Sequence, residues 1–184
     1  HKLLIDSIEL SGFSHANGII SLDSVRDGTL SNNHIHHCRI EKATNGQLTG
    51  ITVDDNRVNG VHSHDIRIEN NRIERLTVSE VFLTQFGFQT DGIHIASPAT
   101  QKIIIRRNFI QDVGEGIDVF GEHNQIHSNE IRDAYIAGIK LVHGASNNSV
   151  SNNRIIRPGL AGVFVSGSGV VNENTEFNHV FSNT

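Results

Sequence analysis

Short apolar stretches recur along the chain at a nearly constant spacing, and within each stretch apolar and polar residues alternate. Residues 91–95, 115–119 and 137–141 have the sequences DGIHI, EGIDV and AGIKL, with their glycines 24 and then 22 residues apart. Weaker copies lie at 50–53 and 161–165. Because alternate side chains of a strand face opposite sides of the backbone, this pattern predicts short β-strands. The runs are too short for helices, and no significant helix is predicted.

A second recurrent pattern places apolar residues on both sides of an asparagine, at 30–35, 68–73, 105–110, 126–131 and 150–155. Short strands with a period of about 22–25 residues leave no room for crossover helices and predict a parallel β-helix. We therefore expect a single all-β domain over residues 1–184, a single-stranded parallel β-helix (solenoid) of about seven coils. The repeated asparagines are expected to tolerate left-handed turns and to bond amide to amide between coils.

Equivalent residues of successive coils should stack about 4.8 Å apart, the spacing between paired strands. The residues that alternate inward are then expected to form three apolar columns that bury the core. The columns are Ile51, Ile93, Ile117, Ile139 and Val163; Val53, Ile95, Val119, Leu141 and Val165; and Leu30, Ile68, Ile105, Ile126 and Val150.

The position between the two inward residues of each Gly-Ile-x-apolar strand should face solvent. His94, Asp118 and Lys140 occupy it on three successive coils, each within ion-pair reach of the next. The residue before each glycine forms a second row, in which Asp91 and Glu115 lie one coil apart. Charges that alternate down a ladder are also ordinary surface stabilisation, so this structural interpretation stands beside a catalytic one.

These five residues suit proton-transfer chemistry on an acidic sugar. Breaking or epimerising a uronic-acid polymer needs a base for the carbon-5 proton, an acid on the far side and a cation for the substrate carboxylate. Lys140 is the candidate cation, His94 or Tyr135 can exchange protons, and Asp118 is expected to hold the tautomer of His94. Hydrolysis is the alternative, with Asp91 and Glu115 as the pair of carboxyl groups.

An insertion at 77–90 delivers aromatic and amide side chains just before Asp91. Insertions in a repeat array form loops, often on the binding side. Phe86 and Phe88 are candidates for stacking on a sugar ring, or else they cap the core. The predicted substrate-binding residues are Gln85, Phe86, Phe88, Gln89, Tyr135 and His143.

No metal site and no cofactor are predicted. His34 and His36, and likewise His62 and His64, have ligand spacing on one strand face, but exposed polar strand positions explain them as well. Calcium is an alternative, through Asp23, Asp54 and Asp55, although no nonapeptide calcium repeat is present.

The repeats of nearly the whole chain resemble those of the right-handed parallel β-helix proteins, which include pectinases, polysaccharide lyases, alginate carbon-5 epimerases and phage tailspikes. Residues 89–92, Gln-Thr-Asp-Gly, are similar to the Asn-Thr-Asp-Gly motif of pectin hydrolases. That match implies that Asp91 is an acid or base. Where those enzymes carry paired aspartates on the next coil, Glu115 supplies one carboxylate. The resemblance implies a right-handed coil.

The leading hypothesis is a carbohydrate-active enzyme, a lyase, carbon-5 epimerase or glycoside hydrolase, that acts on an acidic polysaccharide and is secreted, extracellular or periplasmic. The alternative is a non-catalytic β-helix such as a tailspike, an adhesin or a carbohydrate-binding module. The net charge of −5 argues against a nucleic-acid partner, and no apolar run is long enough for a membrane span. Homo-oligomer formation is left open. Since the chain contains no methionine, we expect a processed chain or a fragment of a longer β-helix.

Overall fold

The computed structural model describes residues 2–14, 17–40, 47–55, 60–80, 90–167 and 174–184. These residues form an all-β structure in which only Glu80 has helical backbone, and no helix there could cross a membrane. The strands are β1 (Leu3–Asp6), β2 (Glu9–Ser11), β3 (Ile20–Asp23), β4 (Gly28–Ser31), β5 (His34–Ile40), β6 (Leu48–Asp54), β7 (Arg67–Glu69), β8 (Arg72–Val78), β9 (Thr90–Ile95), β10 (Ile104–Arg106), β11 (Phe109–Val119), β12 (Gln125–His127), β13 (Glu130–Leu141), β14 (Ser149–Ser151), β15 (Arg154–Ile156), β16 (Ala161–Val165) and β17 (His179–Phe181).

The described strands pair in parallel and wind as a solenoid with three walls. One wall is a seven-stranded sheet in the order β1-β4-β7-β10-β12-β14-β17. The second wall contains β2, β5, β8 and β15, and the third contains β3, β6, β9 and β16. The long strands β11 and β13 run through both of these walls and join them into one sheet. This architecture confirms the predicted parallel β-helix and, for the residues that the structure describes, the absence of significant helix.

The apolar columns predicted from the sequence line the interior. Ile93, Ile117 and Ile139 pair in register on β9, β11 and β13, and each is fully buried. Leu30, Ile68, Ile105, Ile126 and Val150 form the column of the seven-stranded wall, also fully buried. The last members of two columns differ: Val163 is only partly buried and Val165 is 46% exposed, because β16 pairs on only one side, with β13, among the described strands.

The repeated glycine is required by the close stacking of successive coils. A Cβ built on Gly116 would lie 2.4 Å from the carbonyl oxygen of Gly138 and 2.7 Å from Cγ2 of Ile131. Gly92 makes the same approach to the carbonyl oxygen of Gly116, at 2.6 Å. Real Cβ atoms do not approach other atoms this closely, so a side chain at these positions would push the coils apart.

The asparagine ladder bonds coil to coil as predicted. Nδ2 of Asn129 donates to Oδ1 of Asn153 at 2.9 Å and to the carbonyl oxygen of Ile105 at 3.0 Å. One expectation was wrong: the left-handed residue is the one before the ladder position, such as Ser128 with φ of 58°. The ladder asparagines themselves lie inside and supply the hydrogen bonds that the corner needs. A second amide ladder, Asn124–Asn148–Asn178, escaped the sequence analysis.

Candidate functional site

The third wall brings the five predicted catalytic residues together. Asp91 and His94 lie on β9, Glu115 and Asp118 on β11, and Lys140 on β13; we call these five residues the charged cluster. The strand register pairs Asp91 with Glu115, His94 with Asp118, and Asp118 with Lys140, as the repeat predicts. Nζ of Lys140 lies 2.9 Å from Oε2 of Glu115 and 3.3 Å from Oδ2 of Asp118. The proximity is therefore observed, while the catalytic roles stay predictions.

The charged cluster does not face solvent, contrary to the prediction from strand alternation. Asp91 is 2% exposed, Asp118 3%, and His94 and Glu115 8% each. Asp91 accepts a hydrogen bond from the side-chain amide of Gln47. The ring of Phe120 packs edge-on against His94, with 4.8 Å between ring centroids. Lys140 is the most accessible member, with 23% of its side chain exposed.

Burial makes ionised carboxylates costly in this site, because the charged form loses its hydration. Burial, reinforced by the nearby Asp118 and Glu115, raises the pKa of Asp91 well above its ordinary value. Burial also raises the pKa of Asp118 to about 7; Lys140 opposes this shift and Glu115 adds to it. Asp91 thus retains its proton to higher pH than an ordinary aspartate, while Asp118, with a pKa of about 7, is poised between its two forms at neutral pH.

His94 is a neutral imidazole near neutral pH. Burial, together with the charges of Lys140 and His143, lowers its pKa to about 4. Its Nδ1 lies 3.8 Å from Oδ2 of Asp91, and its Nε2 lies 4.0 Å from Oδ2 of Asp118. Within the described part of the chain, this buried Nε2 has no hydrogen-bond partner. The expectation that Asp118 fixes the tautomer of His94 was wrong, because 4.0 Å is too long for a hydrogen bond.

Lys140 supplies the positive charge of the cluster. Although burial opposes its charge, the carboxylates of Asp118 and Glu115 raise the pKa of Lys140 above its usual value. Asp91, Glu115 and Asp118 each bring an oxygen within 4.8 Å of the others, a grouping that could hold a cation. The Lys140 ammonium already lies against two of these carboxylates, so a metal ion would have to compete with it.

The calcium alternative finds less support in the geometry. Asp23 and Asp54 are register partners on β3 and β6. However, Asp23, Asp54 and Asp55 do not form one of the clusters of described residues in which all ligand atoms lie within 4.8 Å of one another. Asp54 instead accepts a hydrogen bond from the backbone N–H of Asp55. Calcium binding stays a prediction.

A cavity of about 490 Å³ lies beside the charged cluster. Phe120 forms the boundary between the two, since its ring contacts both His94 and His143. Nδ1 of His62 lies 2.8 Å from the buried Oδ2 of Asp55, so the His62 ring is held at the edge of this cavity. His143 was predicted from the sequence, but the His62–Asp55 pair was not. Asp55 and His62 belong to an insertion, and the register of the repeat does not relate residues of an insertion to one another.

The other predicted substrate-binding residues lie elsewhere. Tyr135 is exposed and lines a separate depression with His37, Arg75 and Asp112, none of which belongs to the charged cluster. The prediction that Tyr135 exchanges protons in the same groove was therefore wrong. The cause is the length of β13: Tyr135 lies where the register with β11 shifts, between the part of β13 that pairs with β15 and the part, containing Lys140, that pairs with β16. Gln85, Phe86, Phe88 and Gln89 fall outside the described residues.

The sequence was compared with protein families, curated proteins and solved structures. Residues 84–184, more than half of the chain, match the family described as "Right handed beta helix region". The chain belongs to this family. No curated protein and no solved structure matches it. Membership of the right-handed β-helix family specifies the fold and the hand of the coil, but one such fold carries many functions, so the function has to be argued from the site.

Proposed function

We propose that this right-handed β-helix protein is an enzyme that acts on a uronate-containing polysaccharide, as a lyase or a carbon-5 epimerase. The observation that carries the proposal is that an imidazole, carboxyl groups and an ammonium group lie together on three adjacent strands in the charged cluster. The pKa of His94 is lowered to about 4, that of Asp91 is raised by burial, and that of Lys140 is raised by Asp118 and Glu115 despite burial.

Each of these groups matches one demand of the reaction. Removal of the carbon-5 proton of a uronate places negative charge on its carboxylate, and a fixed ammonium group stabilises that charge. Lys140, the most accessible member, is the group that meets the substrate carboxylate. His94 offers an unbonded, buried Nε2 as the base. A base must be unprotonated at the working pH, and His94 meets this condition above a pH of about 4.

The acid then decides the product. Protonation of carbon 5 from the opposite face inverts the sugar, whereas protonation of the leaving glycosidic oxygen gives elimination. Asp91 is the proposed proton donor for either outcome, because burial and two neighbouring carboxyl groups raise its pKa and so favour its protonated form. Asp118, with a pKa of about 7, can return a proton between turnovers.

The cavity that contains Phe120 and His143 offers room for a sugar next to the charged cluster. Its volume of about 490 Å³ is within the range of ordinary small-molecule sites. The aromatic face of Phe120 and the His62 ring held by Asp55 supply one apolar and one polar contact surface. We propose that this cavity receives the sugar unit that neighbours the reacting one.

The proposal is tested with purified protein and a panel of pectate, alginate and glucuronate polymers. Ultraviolet absorbance of unsaturated uronates reports elimination, proton exchange from solvent into carbon 5 reports epimerisation, and reducing ends without unsaturation report hydrolysis. His94→Gln and Asp91→Asn are each expected to lower turnover at least ~100-fold, the scale of a lost general base or acid. Gln125→Ala, an exposed residue on another wall, is the matched control and should retain full turnover.

A non-catalytic β-helix is the second candidate, and the burial of the charged cluster favours it. Four of the five residues are less than 10% exposed, as in an ion network that merely stabilises the stacked strands. Binding of a polysaccharide without turnover, unaffected by His94→Gln, would support this candidate. Hydrolysis that depends on Asp91 and Glu115 would instead assign the cluster to a glycoside hydrolase.

A further inference from the structure

A second group of chemically active side chains lies on the second wall, away from the charged cluster. His34 and His36 are two residues apart on β5, so their side chains leave the same face of the strand. Glu9 on β2 is the register partner of His34, and Glu74 on β8 is the register partner of His36. Three adjacent strands thus present two imidazoles and two carboxylates on one face.

The contacts within this group run diagonally between strands. Nε2 of His36 lies 3.0 Å from Oε1 of Glu9, and Nε2 of His34 lies 3.1 Å from Oε1 of Glu74. The two imidazole rings are only 4.2 Å apart, centroid to centroid. One ligand atom each from Glu9, His34 and His36 lies within 4.8 Å of the other two. Glu74 is not in this group of three and joins it through its contact with His34, so the four side chains have to draw together around an ion.

We propose that Glu9, His34, His36 and Glu74 form a binding site for a divalent transition metal, with zinc as the best fit. Two imidazole nitrogens and two carboxylate oxygens are a donor set that suits tetrahedral zinc, with bonds of about 2.0–2.2 Å. Calcium and magnesium prefer oxygen ligands alone, so the two histidines disfavour them. Two glutamates balance the charge of a divalent ion.

The burial of the four groups also suits an ion that enters from solvent. The Glu9 side chain is 73% exposed, whereas those of His36 and Glu74 are only 16% and 14% exposed. The site thus combines two largely buried ligands with an exposed outer one. Arg72 already binds the second oxygen of Glu74, with 2.7 Å between NH2 and Oε2, and leaves Oε1 for the metal.

Metal binding has to replace the hydrogen bond between His34 and Glu74 and to rearrange a second hydrogen-bond chain through His36. The guanidinium of Arg75 donates to Nε2 of His37 at 2.5 Å, so His37 carries its proton on Nδ1 and donates it to Nδ1 of His36 at 2.6 Å. His36 then holds a proton on Nε2, which it donates to Glu9. A metal ion on Nε2 displaces that proton to solvent, and the neutral His36 ring then carries its proton on Nδ1 and donates it to Nδ1 of His37. His37 must then hold its own proton on Nε2, so the exposed Arg75 has to move away from it. The metal-bound and metal-free forms therefore differ at His37 and Arg75 as well as at the ligands.

The site is tested by titration of the untagged full chain, stripped with a chelator, with Zn²⁺ and with Co²⁺. Calorimetry is expected to give one zinc ion per chain, and Co²⁺ is expected to give the intense visible absorption of a tetrahedral complex. His34→Ala and His36→Ala should each weaken zinc binding at least ~10-fold, comparable with the effect of losing even an outer-shell partner. Glu9→Gln should weaken it without affecting the fold, because the Glu9 side chain is mostly exposed.

Matched variants distinguish this site from adventitious binding. His127→Ala removes a histidine from β12, on another wall, and is expected to leave the affinity for zinc unchanged. Equal weakening by His127→Ala and His36→Ala would overturn the proposal, as would the absence of zinc binding. Loss of binding in Asp118→Asn, with binding retained in Glu9→Gln and His36→Ala, would move the ion to the charged cluster and also overturn it. None of these outcomes depends on polysaccharide turnover.

Discussion

At the scale of single residues, the position of an aspartate in the coil determines the direction in which its pKa is shifted. Asp118 and Asp133 are both aspartates on long strands of the solenoid, yet the pKa of each departs from its ordinary value in the opposite direction. Burial raises the pKa of Asp118 to about 7. A two-point ion pair lowers the pKa of Asp133, since Arg157 donates to both of its oxygens at 2.7 and 2.8 Å. The two carboxyl groups should therefore affect stability at opposite ends of the pH range.

We expect Asp118→Asn to become more stable than the unaltered protein as the pH rises from about 4 to 7. Because the pKa of Asp118 is raised in the folded state, the folded chain binds more protons than the unfolded chain between pH 4 and 7. The free energy of unfolding of the unaltered protein therefore falls as the pH rises through about 7. The neutral amide has no such loss. Urea unfolding at intervals between pH 4 and 8 should show a difference that grows to roughly 2–4 kcal/mol, since one pKa unit is worth about 1.4 kcal/mol.

Asp133→Asn is the control with the opposite sign. The lowered pKa of Asp133 contributes stability that is present above the ordinary pKa of 3.8 and is lost as the pH falls through the folded-state value. Its variant should be less stable than the unaltered protein at pH 7 and should approach it in acid. A constant difference for Asp118→Asn across the whole range would contradict the raised pKa.

At the scale of strands and corners, the same glycine and asparagine recur in successive coils because the close contact between coils leaves no room for larger residues at these positions. The glycine before each isoleucine lets one coil contact the carbonyl oxygen of the next. The asparagine after the seven-stranded wall bonds the next asparagine in the ladder, and each buried amide receives and donates hydrogen bonds. The glycines and asparagines thus both stabilise the stacking of neighbouring coils. Substituting them should lower the free energy of unfolding by more than is usual for small or polar residues.

Gly116→Ala is expected to destabilise the fold by more than about 2 kcal/mol, the scale of overpacking in a close-packed core. The added Cβ would meet the carbonyl oxygen of Gly138, part of the backbone, which cannot rotate away. Gly162→Ala is the matched control, because no atom lies within 4 Å of the Cβ that it would add. Thermal and urea unfolding should leave Gly162→Ala within about 1 kcal/mol of the unaltered protein. Equal losses in the two variants would contradict the stacking argument.

Asn129→Ala tests the amide ladder. The substitution leaves the carbonyl oxygen of Ile105 and the amide of Asn108 without their partners in a buried corner. Each unsatisfied buried group costs about 1–3 kcal/mol, so a total loss of roughly 2–5 kcal/mol is expected in urea unfolding. Gln125→Ala, an exposed amide on β12, should change stability by less than about 0.5 kcal/mol. A loss below 1 kcal/mol for Asn129→Ala would show that the ladder stabilises little.

At the scale of the whole molecule, sequence alone predicted what the repeat determines and missed what lies outside it. The register that pairs Ile93 with Ile117 and His94 with Asp118 follows directly from the spacing of the glycines. Strand alternation predicted that His94 and Asp118 face outward, but it could not predict that Gln47 and Phe120 pack around the charged cluster. The His62–Asp55 contact depends on the path of an insertion, which has no repeat to fix it.

A solenoid also predicts that damage stays local, because each coil contacts only its neighbours. Ile117 is fully buried between Ile93 and Ile139, and Ile117→Ala is expected to cost roughly 2–5 kcal/mol. Hydrogen exchange should show the largest loss of protection in β9, β11 and β13, with little change in β1 and β4. Phe164→Ala, at a position that is 37% exposed, is the control and should leave β11 protected. If Ile117→Ala lowers protection equally in every strand, the coils unfold as one cooperative unit, and the nearest-neighbour description of this chain is wrong.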